Sequence, residues 1–167
     1  MIDLKTDNLL INKEVNENLE SILKRKAFSN GYIFYGPEGI GKKQTAMKFI
    51  KEIFNKYSSN SNIEKKIIDN NHPDFLLIEP TYFLKGNLIN RSEAEPSKNN
   101  KGTIRIEQIR NLKTFLGQKS IESGGKVVLI DDAHLLNEAA SNCLLKTLEE
   151  PSNGIFILLT SRLNLLL

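Results

Sequence analysis

The segment from Tyr32 to Tyr57 constrains the fold of this chain more than any other. An apolar and aromatic run, Tyr32-Ile33-Phe34-Tyr35, stops abruptly at Gly36-Pro37. After the closely spaced glycines Gly36, Gly39 and Gly41, apolar residues recur at Ala46, Phe49, Ile50, Ile53 and Phe54. The first pattern predicts a buried strand ending in a turn, the second an amphipathic helix over Lys43 to Tyr57. Between them, Gly36-Pro37-Glu38-Gly39-Ile40-Gly41-Lys42 has the spacing G-x-x-x-x-G-K. Each residue type has a separate reason to be there. Glycines let backbone N–H groups turn inward as a nest for anionic oxygens. The helix that follows directs its positive end at the same point. Lys42 adds a mobile point charge. The whole segment predicts a loop that cradles the phosphates of a nucleotide.

The next position departs from this pattern. A Ser or Thr there would offer a hydroxyl to Mg²⁺, whereas the chain has Lys43, a donor-only cation that ligates no metal. Thr45 stands two residues further on, on a different helix face. The candidate nucleotide-binding set is therefore Gly36 to Lys43 with Asp131, and a metal ligand is missing from it. Asp131 follows the apolar run Val127-Val128-Leu129-Ile130, the kind of strand covered on both faces of a parallel sheet. A carboxylate at that strand end sits where open α/β sheets bind ligands, as in a Walker B strand. Asp131 would then hold the water shell of a metal bound with ATP. Asp132 stands where a glutamate would polarise an attacking water, and it is one methylene shorter, so a catalytic role for it is impaired. Thr160 and Ser161, after the last apolar strand, are candidates to sense the γ-phosphate or simply end the strand. His134 and Cys143 are read as packing residues.

The remaining chain alternates strands and helices. Helical spacing covers residues 13 to 28, with Asn12 as a cap, a turn around Ile63 to Ile68, Thr103 to Gln118, and Glu138 to Glu150, with Asn137 capping and Pro151 terminating the last. Phe75 to Ile78 and Ile155 to Leu159 are further strands, while Glu79 to Gly102 reads as a long surface excursion. The alternation predicts an α/β fold, a P-loop domain whose parallel sheet has helices on both faces. A net charge of +3 is compatible with nucleic acid without requiring it. Arg105, Arg110 and Lys113 are candidate contacts to a DNA backbone, or a solvated helix face. The single cysteine excludes an internal disulfide and a multi-cysteine zinc site. No apolar run approaches the roughly 18 residues of a membrane span, so a cytoplasmic protein without membrane contact is expected.

Several stretches together resemble the clamp-loader branch of the AAA+ proteins. They are Gly36 to Lys42, His72-Pro73-Asp74, Ile104-Arg105-Ile106 with Gln108-Ile109-Arg110, and above all Leu144-Leu145-Lys146-Thr147-Leu148-Glu149-Glu150-Pro151. The resemblance covers nearly the whole chain and is greater to the delta-prime family of bacterial DNA polymerase III than to the tau/gamma motor family. A tau/gamma sequence would have Thr or Ser at 43 and Glu at 132. The resemblance implies an AAA+ module over 1–167 and, as partners, other clamp-loader subunits (tau/gamma and delta), primed DNA and, indirectly, the sliding clamp. It also implies a rigid, stator-like role with ATP a possible ligand, Mg²⁺ at most weakly held, and little hydrolysis. Relatives carry a four-cysteine zinc module that Asn55 to Asn71 lacks, so no zinc is expected. The family's Ser-Arg-Cys arginine finger is not reached before Leu167, Arg162 being too near the last strand. The lid and collar domains are not reached either, so a truncated chain is expected. Two rival readings stay open: an active AAA+ ATPase such as the tau/gamma motor, and a scaffold that binds only protein.

Overall fold

The apolar run Val127 to Ile130 is buried along its whole length, and its residues divide between two cores. Val127 and Leu129 join one, Val128 and Ile130 the other. That division is the period-two alternation of a strand with both faces covered. The structure is a computed structural model and describes residues 13–25, 28–57, 62–84, 87–90, 102–149 and 154–161. Its elements in chain order are α1 (Lys13–Arg25), β1 (Gly31–Tyr35), α2 (Lys42–Asn55), α3 (Ile63–Ile68), β2 (Phe75–Ile78), β3 (Thr81–Leu84), β4 (Asn87–Asn90), α4 (Ile106–Gly117), β5 (Lys126–Ile130), a 3-10 turn at Ala133–Leu135, α5 (Glu138–Glu149) and β6 (Gly154–Thr160).

Strands β1, β6, β5 and β2 form, in that order, one parallel sheet. Helices α1, α2 and α3 cover one face through Leu19, Leu23, Phe49, Ile50, Phe54 and Ile67. Helices α4 and α5 cover the other through Ile109, Leu112, Ala140 and Leu144. This is the expected α/β fold with helices on both faces. The inner strands β5 and β6 hold the most buried apolar side chains, and each buried Leu or Ile contributes about 1.5–3 kcal/mol of transfer free energy. Asn137 caps α5 as expected, its Oδ1 accepting from the Ala140 amide at 2.8 Å.

Several expectations are corrected. The strand before the glycine loop, expected to be buried, is β1 at one end of the sheet: none of its residues is buried, and Ile33 and Tyr35 are 56% and 61% exposed. The segment Glu79 to Gly102 is not a featureless excursion, because β3 and β4 pair antiparallel as a hairpin, Tyr82 opposite Ile89 and Leu84 opposite Asn87. The helix expected from Thr103 begins only at Ile106. Thr103 instead bridges to Thr81 and Ile104 to Leu136, which keeps this stretch extended. The helix expected from Lys43 to Tyr57 starts one residue earlier and ends at Asn55. Asn12, residues 91–101, Glu150 to Asn153 and Arg162 lie outside the described residues.

Candidate functional site

Parallel strands in register bring their successors together at one sheet edge. Ile78 pairs with Ile130, Ile130 with Leu158, and Tyr35 with Thr160. The loop after β1, Glu79 after β2, Asp131 after β5 and Thr160 at the end of β6 therefore all meet at the carboxyl edge. Gly36 N–H donates to the Thr160 carbonyl at 3.3 Å, and Asp131 N–H to the Ile78 carbonyl at 2.9 Å. A cleft of about 420 Å³ opens there, lined by Glu38, Gly39, Gly41 to Gln44, Asp131, Asp132, His134 and Leu135, with Tyr82 reaching in from the hairpin.

The loop has the backbone that its glycines predict. Gly41 precedes α2 with φ 91° and Gly39 has φ 79°, left-handed conformations that side-chain-bearing residues adopt only at a cost. Lys42 folds back on the loop, its Nζ donating to the carbonyls of Gly36 and Pro37, both at 2.8 Å. Thr45 does not face a ligand: its hydroxyl donates to the Gly41 carbonyl at 2.9 Å.

Lys43 does not simply point into solvent. Its ammonium donates to Glu79 Oε1 and lies 3.1 Å from Asp131 Oδ2. Burial works against the charge, but the hydrogen bond to Glu79 and the negative field of Asp131 outweigh it and hold the ammonium above its ordinary pKa. A divalent ion beside Asp131 would have to displace that ammonium, and residue 43 has no hydroxyl to offer it. The donor set present does not fit Mg²⁺. Asp132 has φ 50° and ψ 49°, left-handed for a residue with a side chain, and it starts the turn that carries His134. Ser161 Oγ lies 3.4 Å from His134 Nε2, while Thr160 is fully buried.

Glu79, the partner of Lys43, escaped the sequence reading, as did the cleft residues Gln44, Tyr82 and Leu135. Glu79 had a usable signal: it follows the apolar strand Phe75 to Ile78 just as Asp131 follows Val127 to Ile130. Tyr82 had a weaker one, since its four-residue strand is too short for a clear period. The hairpin reaches the cleft because its base is tied down. Arg105 Nη1 donates to the Thr81 carbonyl (3.2 Å), the Thr81 hydroxyl (2.7 Å) and the Thr103 carbonyl (3.2 Å). Gln108 accepts from the Arg105 amide at 3.0 Å and donates to the Glu79 carbonyl at 2.8 Å. Gly102 has φ +72°, strained for any side-chain-bearing residue, and a Cβ there would crowd Pro80 Cβ at 3.0 Å and Tyr82 Cζ at 3.1 Å. Of the candidate DNA contacts, Arg105 is thus committed to the hairpin, while Arg110 and Lys113 are exposed on α4.

A protein-family model described as DNA polymerase III, delta subunit, matches residues 11–167. The chain belongs to that family. This is the clamp-loader relationship that Gly36 to Lys42 and Leu144 to Pro151 resemble. The DNA polymerase III subunit delta' of Pseudomonas aeruginosa is 33% identical over 143 residues, 82% of this chain and 38% of that protein. Subunit tau of Bacillus subtilis is also 33% identical, over 150 residues, 89% of this chain and 24% of that protein. A DNA polymerase III gamma subunit-related protein from Thermotoga maritima shares the fold, with a TM-score of 0.58 at 22% identity over 89% of this chain and 41% of that one. The chain therefore spans well under half the length of these relatives. Among the described residues, no helix is long and apolar enough to cross a membrane, and no group of three or more His, Cys, Asp or Glu side chains is placed to hold a metal ion.

Proposed function

We propose that this chain is the nucleotide module of a delta-prime-like clamp-loader subunit. It serves as a rigid element while the sliding clamp is loaded on primed DNA, and it turns over little or no ATP. The observation that carries this reading is the ammonium of Lys43 bonded to Asp131, the acid an active site would keep for its metal. Asp132 supports it, being shorter than a glutamate and fixed in a left-handed turn. Arg110 and Lys113 are exposed on α4, and each contact they made to a phosphate backbone would add to the salt dependence of binding. Neighbouring clamp-loader subunits are the partners this role requires, and the cytoplasm is where they would meet.

Equal identity to a tau subunit supports a second reading, a motor that hydrolyses ATP. Steady-state ATP turnover of the full-length subunit, alone and assembled with candidate partners, separates the two. The stator reading expects turnover unchanged by Lys42→Ala in this subunit. Turnover that collapses with Lys42→Ala establishes the motor instead.

A further inference from the structure

The two lysines at the end of the loop are held in different ways. Lys42 rests on two neutral carbonyls of its own loop, at 2.8 Å each. Neutral acceptors hold an ammonium less strongly than a phosphate oxygen does, so this contact yields to an anion. Lys43 is held by two carboxylates from different strand ends, Glu79 and Asp131, whose side chains are only 20% and 10% exposed. The register of β2 and β5 makes these carboxylates neighbours whatever lies between them. Two like charges so placed repel unless a cation separates them. Residue 43 supplies that cation covalently.

We propose that the Lys43 ammonium permanently takes the place of a divalent cation in this cleft, so that the cleft receives the polyphosphate of ADP or ATP without metal. The proposal rests on the phosphate-loop reading of residues 36 to 42. An ammonium brings positive charge and donors but no coordination position. A divalent ion entering beside Asp131 must expel it and then sit next to an unpaired positive charge. A metal-free polyphosphate keeps its full negative charge and meets Lys42, the loop amides and the 39% of the Lys43 side chain that remains exposed. Glu79 is then a positioning residue, holding Lys43 against Asp131 rather than touching the ligand.

Two titrations of the full-length protein test the two halves. The first follows Mn²⁺ binding to nucleotide-free protein through the paramagnetic resonance of the free ion. Wild type and Lys43→Arg are expected to take up no Mn²⁺ in the cleft. Lys43→Thr is expected to gain a site about tenfold tighter than any in wild type, lost again in Lys43→Thr/Glu79→Gln. Wild type binding Mn²⁺ as tightly as Lys43→Thr overturns the substitution. The second titrates ADP calorimetrically in excess Mg²⁺ and in EDTA. Wild-type affinities should agree within about twofold, whereas Lys43→Thr should bind about tenfold more tightly with Mg²⁺. A wild-type affinity that falls tenfold in EDTA overturns the proposal. No heat from either protein in either medium overturns the phosphate-loop reading and the polyphosphate half with it, and the Mn²⁺ result still decides the cation.

Discussion

Asp74 and Asp131 lie at opposite ends of neighbouring strands, one before β2 and the other after β5, and both are buried. Asp74 is satisfied by groups that cannot leave. It accepts from the amides of Ile121, Glu122 and Ser123 at 2.7–2.9 Å and from the hydroxyls of Ser120 and Ser123 at 3.0 and 2.8 Å. Despite its burial, these bonds pull its pKa down to about 2. His72 stacks on Phe54 with ring centroids 4.3 Å apart and accepts the Asp74 amide at its Nδ1. Asp131 is instead bonded to the flexible, half-exposed ammonium of Lys43. A carboxylate held by several backbone amides pins a loop, whereas a bond to a long, flexible side chain is exchanged more easily. The amino edge of the sheet is held by fixed backbone donors, the carboxyl edge in part by an exchangeable side-chain contact.

The largest effect that sharpens this contrast is on stability. Asp74→Ala leaves several buried donors unpaired and should cost about 3–5 kcal/mol in urea unfolding. Acid should attack the same end. With a folded pKa of about 2 against 3.8 unfolded, Asp74 contributes about 2–3 kcal/mol above pH 4, lost as pH falls toward 2. His72 is pushed below its ordinary value, burial outweighing the raising effect of Glu122 and Asp74. Its contribution is full above about pH 6.5 and declines as pH drops below that. Urea midpoints from pH 7 to pH 2.5 should therefore fall in two stages, and the second should vanish in Asp74→Ala. Ser123→Ala, which removes one of the donors to Asp74, should cost about 1 kcal/mol. The smallest change belongs to the other edge: Asp131→Asn should cost under about 1 kcal/mol, because Lys43 keeps Glu79. An Asp131→Asn variant as unstable as Asp74→Ala would erase the distinction between the two edges.

Much of the fold was legible in the sequence because its signals are local. The strands, the glycine loop before α2, the Asn137 cap and the helical turn at Ile63–Ile68 each lie within one short window, but the exposure of β1 at Ile33 and Tyr35 depends on its place at the sheet's end. The β3–β4 hairpin was not legible. Its four-residue strands lie among Pro, Gly and Asn, and the bonds that fix it come from Arg105 and Gln108, well downstream. In the candidate site, residues 36 to 42 and Asp131 could be named from spacing and strand ends, but the pairing of Lys43 with Glu79 and Asp131 could not.

The sequence alone determined that a glycine-rich loop joins a strand to a helix, and that residue 43 there is a cation rather than a hydroxyl. Both are properties of consecutive residues and local backbone preference. Only the tertiary structure decided where that cation rests. Glu79 and Asp131 belong to segments distant along the chain, and parallel pairing of β2 with β5 sets them side by side. Register between strands is settled by packing of the two cores against the sheet, a balance that no single stretch of sequence contains.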